Sequence, residues 1–187
     1  YTWARAGTAI TGATSSTYTL TQSDVGSAIT VAVAFTDDLS TSESATSAAT
    51  AAVANVNDDP TGSVTISGTV AEDSVLTAAN TLADEDGMGT VTYTWSNGAT
   101  GATVTLAQSD VGNAMTVTAA YTDAQGGSES VASTATAAVA NVADATTGTV
   151  TVTGDSYDEA VLTADTSGLS DEDGVGTFAY QWSNSAG

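Results

Sequence analysis

Apolar and polar residues alternate with a period of two along much of this chain, which is the pattern of β-strands with one buried face. In the clearest case, Val91, Tyr93 and Trp95 alternate with Thr92 and Thr94. No segment has the apolar stripe that an amphipathic helix requires. The chain is therefore predicted to be all-β. In its middle part the pattern predicts strands at residues 64–66, 75–78, 91–95, 104–106, 115–121 and 131–139.

Long stretches of this pattern occur twice. Residues 19–37 (TLTQSDVGSAITVAVAFTD) match residues 105–123, and residues 47–68 match residues 133–154, in both cases 86 positions later. We therefore expect tandem repeats of about 86 residues. Since the chain begins within the pattern, at YTWARAG, we expect it to be a fragment of a longer protein. The predicted domains are the C-terminal part of one repeat (1–60), a complete repeat (61–146) and the N-terminal part of the next (147–187).

Short strands separated by turns rich in Gly, Asp and Asn favour a β-sandwich. The third predicted strand of the complete repeat carries Trp95, where Ig-like sandwiches carry a buried tryptophan. Ala114 stands where antibody-type domains have their corner tyrosine, and the chain has no cysteine. The prediction is therefore an Ig-like architecture without the markers of an antibody domain.

The charge balance is extreme, with 22 acidic residues against one basic residue, Arg5, and a net charge of −21. Nucleic acids and anionic membrane surfaces need a basic footprint, so neither is an expected partner. Without cysteine we expect neither disulfides nor thiolate metal sites. No apolar run is long enough for membrane insertion. Because no His or Lys is present to activate a serine, and short loops favour no cleft, we predict no enzymatic activity.

Three segments follow one another in the repeat, namely NVNDDPTGSVTISG, LADEDGMGTVTYTW and TLAQSDVGNAMTVTAAYTD. Together with the repeat length, they resemble the tandem Ig-like or cadherin-like repeats of giant bacterial surface adhesins. The resemblance covers essentially the whole chain. It implies a long extracellular stalk at the cell surface, stabilised by calcium. It also implies that the partners of each repeat are neighbouring repeats of the same or an identical chain.

An Asp-Glu-Asp-Gly motif stands at residues 84–87 and again at residues 171–174. Ca²⁺ takes six to eight oxygen ligands, which clustered carboxylates and carbonyl groups can supply. The carboxylates of Asp84 and Asp86 can converge in a tight turn that Gly87 permits. The alternative is an ordinary solvated turn in which Asp accepts backbone N–H groups. Glu85 and Glu172, between the Asp residues, are expected to be solvated.

Ig-like topology would bring carboxylates from separate stretches to the end of the repeat where the linker enters. The resemblance to cadherin-type junctions adds acids from the preceding repeat. Two of these added acids, Asp24 and Asp110, have an alternative as acceptors of turn hydrogen bonds. Because NVNDDP becomes NVADAT in the second linker, the second junction is expected to bind calcium more weakly. The predicted ligands are Asp58, Asp59, Asp84, Asp86, Asp123 and Asp24 at the first junction, and Glu72, Asp110, Asn141, Asp144, Asp171 and Asp173 at the second.

Two other functions stay open from the sequence. The N-terminal part supplies late strands of a repeat and the C-terminal part supplies early ones, so chains could complete one another into a fibre. The tryptophan strand is present in both parts, which makes that fit redundant. A carbohydrate or cell-surface binding module is the other alternative, although no sequence feature marks its site. The acidity itself fits calcium dependence and adaptation to high salt equally well.

Overall fold

The computed structural model describes residues 1–184, in which the chain consists of β-strands, short 3₁₀ turns and irregular connections. No helix in this range is long and apolar enough to cross a lipid bilayer. The 3₁₀ turns span Gln22–Asp24 and Gln108–Asp110, one in each copy of the QSDV sequence. The strands are β1 (Thr2–Arg5), β2 (Thr8–Ala9), β3 (Ile29–Thr36), β4 (Ser42–Thr46), β5 (Val64–Ser67), β6 (Val75–Asn80), β7 (Thr92–Trp95), β8 (Thr103–Thr105), β9 (Val117–Thr122), β10 (Ser128–Ala132), β11 (Thr151–Thr153) and β12 (Thr163–Asp165).

The strands pair into several antiparallel sheets, which confirms the all-β prediction. The sheet orders are β2-β1-β3-β4, β10-β9-β7, β5-β6-β8 and β11-β12. In the first sheet Trp3 lies opposite Val31, so the N-terminal tryptophan strand is fully paired with its neighbour. The strands predicted at residues 64–66, 75–78, 91–95, 104–106 and 115–121 are present as β5 to β9, with every bound within two residues of its prediction.

The predicted strand at residues 131–139 is shorter in the structure, because β10 ends before residue 133. Beyond this point side-chain hydroxyl groups replace part of the backbone ladder. The hydroxyl of Ser133 accepts the N–H of Val117 at 3.1 Å, and that of Thr136 accepts the N–H of Met115 at 3.0 Å. The equivalent Ser and Thr of the first copy make the same bonds. Side-chain acceptors of this kind compete with regular strand pairing.

Contacts divide the chain into two compact units, and the division falls inside β5, β6, β7 and β9. The first unit holds the sheet β2-β1-β3-β4, together with β10 and most of β9. The first Asp-Glu-Asp-Gly motif and the first linker belong to it as well. It comprises Tyr1–Val64, Asn80–Tyr93 and Thr118–Ala132, and its buried apolar side chains are Ile29, Val64, Ala119 and Tyr121.

The second unit holds β8, β11, β12 and most of β5 and β6. The side chain of Trp95 is buried here, and its indole N–H donates to the carbonyl of Gly101 at 2.9 Å. Burial alternates along β6, where Leu76 is buried and Val75 is exposed. Half-buried strands of this kind give the chain its β-sandwich character. The unit comprises Thr65–Ala79, Thr94–Val117 and the described residues from Ser133 onward, and its buried apolar side chains are Leu76, Ala78, Trp95, Val104, Leu106, Met115, Val117 and Val139.

Candidate functional site

The first Asp-Glu-Asp-Gly motif forms a tight turn between β6 and β7. The Oδ1 atom of Asp84 accepts the backbone N–H of Asp86 at 2.8 Å. Gly87 has a φ of +93°, in the left-handed region that favours glycine. The Oδ2 atom of Asp84 accepts the hydroxyl of the buried Tyr121 at 2.6 Å. Burial, and then this hydrogen bond, raise the pKa of Tyr121, so its hydroxyl stays protonated and remains a donor.

The second motif has the same local geometry. The Oδ1 atom of Asp171 accepts the backbone N–H of Asp173 at 3.0 Å, and Gly174 has a φ of +92°. The Oδ2 atom of Asp171 accepts the hydroxyl of Thr146, a linker residue, at 2.7 Å. The turn hydrogen bonds that the sequence suggested as the alternative to calcium binding are therefore present in both motifs. Together with the hydroxyls of Tyr121 and Thr146, they occupy both oxygens of the first Asp in each copy.

The second Asp of the first motif accepts hydrogen bonds from outside its own turn. Asp86 is only 2% exposed. Its Oδ2 atom accepts the backbone N–H of Asp58, in the first linker, at 2.8 Å. Its Oδ1 atom accepts the side-chain amide of Gln22 at 2.7 Å, and the same amide donates to Asn55 at 3.1 Å. The acidic turn is thus attached to the linker and to the 3₁₀ turn of the preceding sequence copy.

The second copy repeats this contact with one change. The Oδ2 atom of Asp173 accepts the backbone N–H of Asp144, in the second linker, at 2.9 Å. Its Oδ1 atom accepts the side-chain amide of Asn141 at 2.6 Å. The Asp144 N–H, and then Asn141, lower the pKa of Asp173 below its ordinary value. We refer to the bonds from Asp58 to Asp86 and from Asp144 to Asp173 as the linker hydrogen bonds.

Asp123 follows β9 and has one oxygen without a donor. It is 6% exposed, and its Oδ1 atom accepts the backbone N–H groups of Gln125 and Gly127 at 2.7 and 2.9 Å. Its Oδ2 atom is buried and has no hydrogen-bond partner. A Cβ placed on Gly127 would collide both with this oxygen and with the Oδ1 atom of Asn57. The two oxygens therefore lie beside each other. The Asn57 amide nitrogen is turned away, towards Glu129 at 2.7 Å. Two acceptor oxygens therefore converge at the first linker, an arrangement that suits a cation.

Three carboxylates converge at the second linker. One oxygen from each of Glu72, Asp144 and Glu172 lies within 4.8 Å of the others, so the group could hold a metal ion. The Oδ2 atom of Asp144 is buried and has no hydrogen-bond partner. Burial raises the pKa of Asp144, and the nearby carboxylates of Asp173, Asp73 and Asp171 raise it further. Asp144 therefore holds its negative charge at a cost in stability, which a bound cation would remove.

Glu72 is the buried member of this group and has protein donors as well. It is 2% exposed and accepts the backbone N–H of Val142 at 3.3 Å. The side-chain amide of Gln108, oriented by its surrounding acceptors, donates to both Glu72 oxygens at 2.7 and 2.8 Å and to Asn141 at 3.1 Å. Burial is the main cause of a raised pKa at Glu72, and the charges of Asp144, Asp73 and Asp173 add to it.

The first linker has a related acidic surface. The side chains of Asp58, Asp59, Asp84 and Glu85 line an open cavity of about 340 Å³. By sequence, Asp58 is the counterpart of Asp144, and Glu85 is the counterpart of Glu172. The carboxylates of Asp58, Asp59 and Glu85 are exposed. The same part of the repeat therefore presents acids at both linkers.

Asp24 and Asp110, predicted either as ligands or as turn acceptors, lie in the two 3₁₀ turns. Asp24 is fully buried and accepts the N–H of Thr21 at 2.8 Å, the hydroxyl of Tyr18 at 3.0 Å and the guanidinium of Arg5 at 2.7 Å. Burial alone would raise the pKa of Asp24, but these bonds outweigh it and lower the pKa to about 2. Asp110 accepts the N–H of residue 107 and the amide of residue 97 in the same way. The turn-acceptor alternative describes these contacts.

The structure therefore brings only some of the predicted ligands together. It brings Glu72 and Asp144 together, whereas Asp171 and Asp173 beside them accept protein hydrogen bonds. Sequence reasoning missed three residues that contact the predicted ligands or lie beside them. Glu172 was assigned to solvent, and although it is exposed, one of its oxygens joins the acidic group. Asn57 and Gln22 were not singled out, but an Asn in an Asp-rich linker and a Gln before each SDVG sequence were visible signals.

The candidate site therefore consists of hard oxygen atoms only, supplied by carboxylates and side-chain amides at two linkers. Such a donor set suits Ca²⁺ or Mg²⁺ and not a thiophilic metal. Comparisons of this chain with protein-family models, with curated proteins and with solved structures find no match.

Proposed function

We propose that this chain is a structural segment of an extracellular bacterial filament or adhesin stalk. In this proposal, tandem Ig-like or cadherin-like β-sandwich repeats of about 86 residues are stiffened by calcium at their junctions. The observation that carries it is the linker hydrogen bond, which occurs at both linkers with the same donor and acceptor atoms. A contact that recurs at the same position of successive sequence copies is what an array built from neighbouring units requires.

The linker hydrogen bonds would set the direction in which the chain enters each repeat. Asp86 fixes the backbone at Asp58, and Gln22 on the other side of Asp86 belongs to the preceding sequence copy. A buried carboxylate with donors from two neighbouring segments resists bending, because bending would leave the carboxylate without its donors. The partners of each repeat are then neighbouring repeats of the same or an identical chain.

Calcium would act on the buried carboxylate oxygens that lack donors, those of Asp123 and Asp144, together with the oxygens beside them. At the first linker the residues suited to hold it are Asp123 and Asn57, with Asp58 and Asp59 close in sequence. At the second linker they are Glu72, Asp144 and Glu172. A bound divalent cation would neutralise carboxylates that otherwise repel one another. The weaker second junction expected from the change to NVADAT stays a prediction.

Calorimetric titration of the full chain with CaCl₂, at low and at high NaCl, tests this function. We expect saturable binding at both salt concentrations. Asp123→Asn and Asp144→Asn should each weaken one class of sites, whereas Asp155→Asn, at an exposed acid in the connection between β11 and β12, should leave binding unchanged. If NaCl alone abolishes binding, or if all three variants bind like the wild type, adaptation to salt explains the acidity better.

A further inference from the structure

The side-chain amide of Asn57 meets a different carboxylate at each of its two ends. Its nitrogen donates to the Oε1 atom of Glu129, on β10, at 2.7 Å. Its oxygen lies beside the buried Oδ2 atom of Asp123, which has no hydrogen-bond partner. Two acceptor oxygens side by side repel each other, whereas a hydrogen bond from the amide nitrogen would satisfy the carboxylate. The amide therefore serves the less buried of the two carboxylates and leaves the more buried one without a donor.

A half-turn of this amide about its terminal bond would exchange the two contacts. The nitrogen would then donate to Asp123, and the oxygen would face Glu129. Because Glu129 is only partly buried, water would replace the lost donor there, whereas the Oδ2 atom of Asp123 is buried. The half-turn would also close the site to a cation, since one oxygen would hold a donor and the other would point away.

We propose that Glu129 is the positioning residue of the cation site at the first linker, a proposal that rests on the calcium binding proposed above. By accepting the Asn57 nitrogen, it holds the amide oxygen beside Asp123. Both oxygens then stay available to a hard divalent cation, which takes carboxylate and side-chain carbonyl oxygens as ligands. A residue that fixes the orientation of a ligand in this way raises the affinity without touching the metal.

The loop that presents Asp123 is shaped independently of Asn57. In the preceding sequence copy, Asp37 accepts the N–H groups two and four residues further on at 2.9 and 2.7 Å, as Asp123 does at 2.7 and 2.9 Å. The fourth residue is Thr41 in that copy and Gly127 in the other, so the loop itself accommodates a side chain. At Gly127 a Cβ would collide with the two oxygens. The glycine therefore provides the space in which Asn57 approaches Asp123.

Calcium titrations of the full chain followed by NMR test the role of Glu129 at the first linker alone. The backbone amide resonance of Gly127 reports on this site, because its N–H donates to Asp123 at 2.9 Å. We expect Glu129→Gln to weaken calcium binding there about tenfold, since a turned Asn57 amide would donate to Asp123 and accept from the introduced amide. Glu43→Gln, the same substitution at the corresponding exposed position of the preceding copy, should bind calcium like the wild type.

A double-mutant cycle with Asn57→Asp separates positioning from a direct effect of the Glu129 charge. A carboxylate at position 57 has no N–H group to orient, so in this background Glu129→Gln should change the calcium affinity by less than about twofold. Equal weakening in both backgrounds would show that Glu129 acts through its charge or as a ligand, and would overturn the proposal. If calcium shifts the Gly127 resonance and Glu129→Gln alone binds like the wild type, the proposal is overturned and the proposed function stands.

The melting temperature in a chelator gives a readout that needs no calcium. In the ion-free protein the turned amide would satisfy the Oδ2 atom of Asp123, so Glu129→Gln should raise the melting temperature more than Glu43→Gln does. Both substitutions remove one negative charge from a chain of net charge −21, which makes them a matched pair. If this stabilisation is observed but the Gly127 resonance ignores calcium, the proposed function fails and the orienting role of Glu129 stands. A Glu129→Gln protein that is no more stable than Glu43→Gln would overturn that role.

Discussion

The backbone N–H of Asp58 donates to the Oδ2 atom of Asp86 at 2.8 Å, across 28 residues of sequence. Asp144 and Asp173 make the same bond at 2.9 Å in the next copy. The first bond ends on a buried carboxylate and the second on an exposed one. The second Asp of the motif is therefore an acceptor for the linker backbone. In the second copy the motif offers an oxygen to a metal ion through Glu172 instead.

Replacement of Asp86 by Ala tests the linker hydrogen bond. The change removes the acceptor of the Asp58 N–H and one of the two acceptors of the Gln22 amide. Hydrogen bonds to charged groups contribute about 1.5–3 kcal/mol. We expect the free energy of unfolding in urea to fall by about 2 kcal/mol. Glu85→Ala, at the exposed neighbouring position, should change it by less than about 0.5 kcal/mol. Equal effects of the two substitutions would contradict the assigned role of Asp86.

Replacement of Gly127 by Ala tests the convergence of oxygens at the first linker. A Cβ at this position would collide with Asn57 and Asp123 and force them apart. We expect a loss of about 1–3 kcal/mol in unfolding free energy, the usual cost of overpacking. Ser128→Ala, at the next, exposed position, provides the control. A fully stable Gly127→Ala protein with unchanged calcium binding would show that the two oxygens do not converge in solution.

The low pKa of Asp24 predicts a specific acid sensitivity. Its folded-state pKa of about 2 lies below the ordinary value of 3.8, so the native state binds this proton more weakly than the unfolded state. The resulting stabilisation is complete above about pH 4 and is lost as the pH falls through about 2. Asp24→Asn should flatten this part of the stability curve, measured by denaturation at a series of pH values. The exposed Asp38→Asn controls for net charge, and an unflattened curve in Asp24→Asn would refute the assignment.

Asp144→Asn should change thermal stability in opposite directions with and without calcium. Because burial and the neighbouring carboxylates raise the pKa of Asp144, its charge destabilises the ion-free protein at neutral pH. Removing that charge should therefore raise the melting temperature in a chelator. In saturating calcium the same substitution removes a ligand oxygen and should lower it. Asp155→Asn serves as the control in differential scanning calorimetry, and a shift of the same sign in both conditions would count against a cation at this group.

The sequence was enough to predict the all-β fold, because alternation such as that of residues 91–95 depends only on strand geometry. It also predicted the buried Trp95 and the acids of both linkers. It could not predict which carboxylates would already be satisfied. Whether Asp86 is available to a metal depends on the side-chain amide of Gln22, 64 positions away in sequence. Such long-range donors are set by tertiary packing and leave no periodic signal in the sequence.

Glu172 is a carboxylate whose distant neighbours were equally unpredictable from the sequence. A Glu between two Asp residues of a turn is usually solvated, and it is exposed here. One of its oxygens nevertheless lies within 4.8 Å of an oxygen of Glu72, which stands 100 positions earlier in the sequence. No local feature of the motif contains that information. The sequence repeats predict where the motif recurs, but only the structure shows which residues contact it.

The most direct test of calcium-stiffened junctions is small-angle X-ray scattering of the full chain at equal ionic strength, with CaCl₂ or with a chelator. Data are recorded at concentrations at which light scattering gives the monomer mass. We predict that calcium raises the melting temperature and converts a broad distribution of maximum dimensions into a narrower, more extended one. Scattering curves and melting temperatures that are identical in calcium and in chelator would contradict the account.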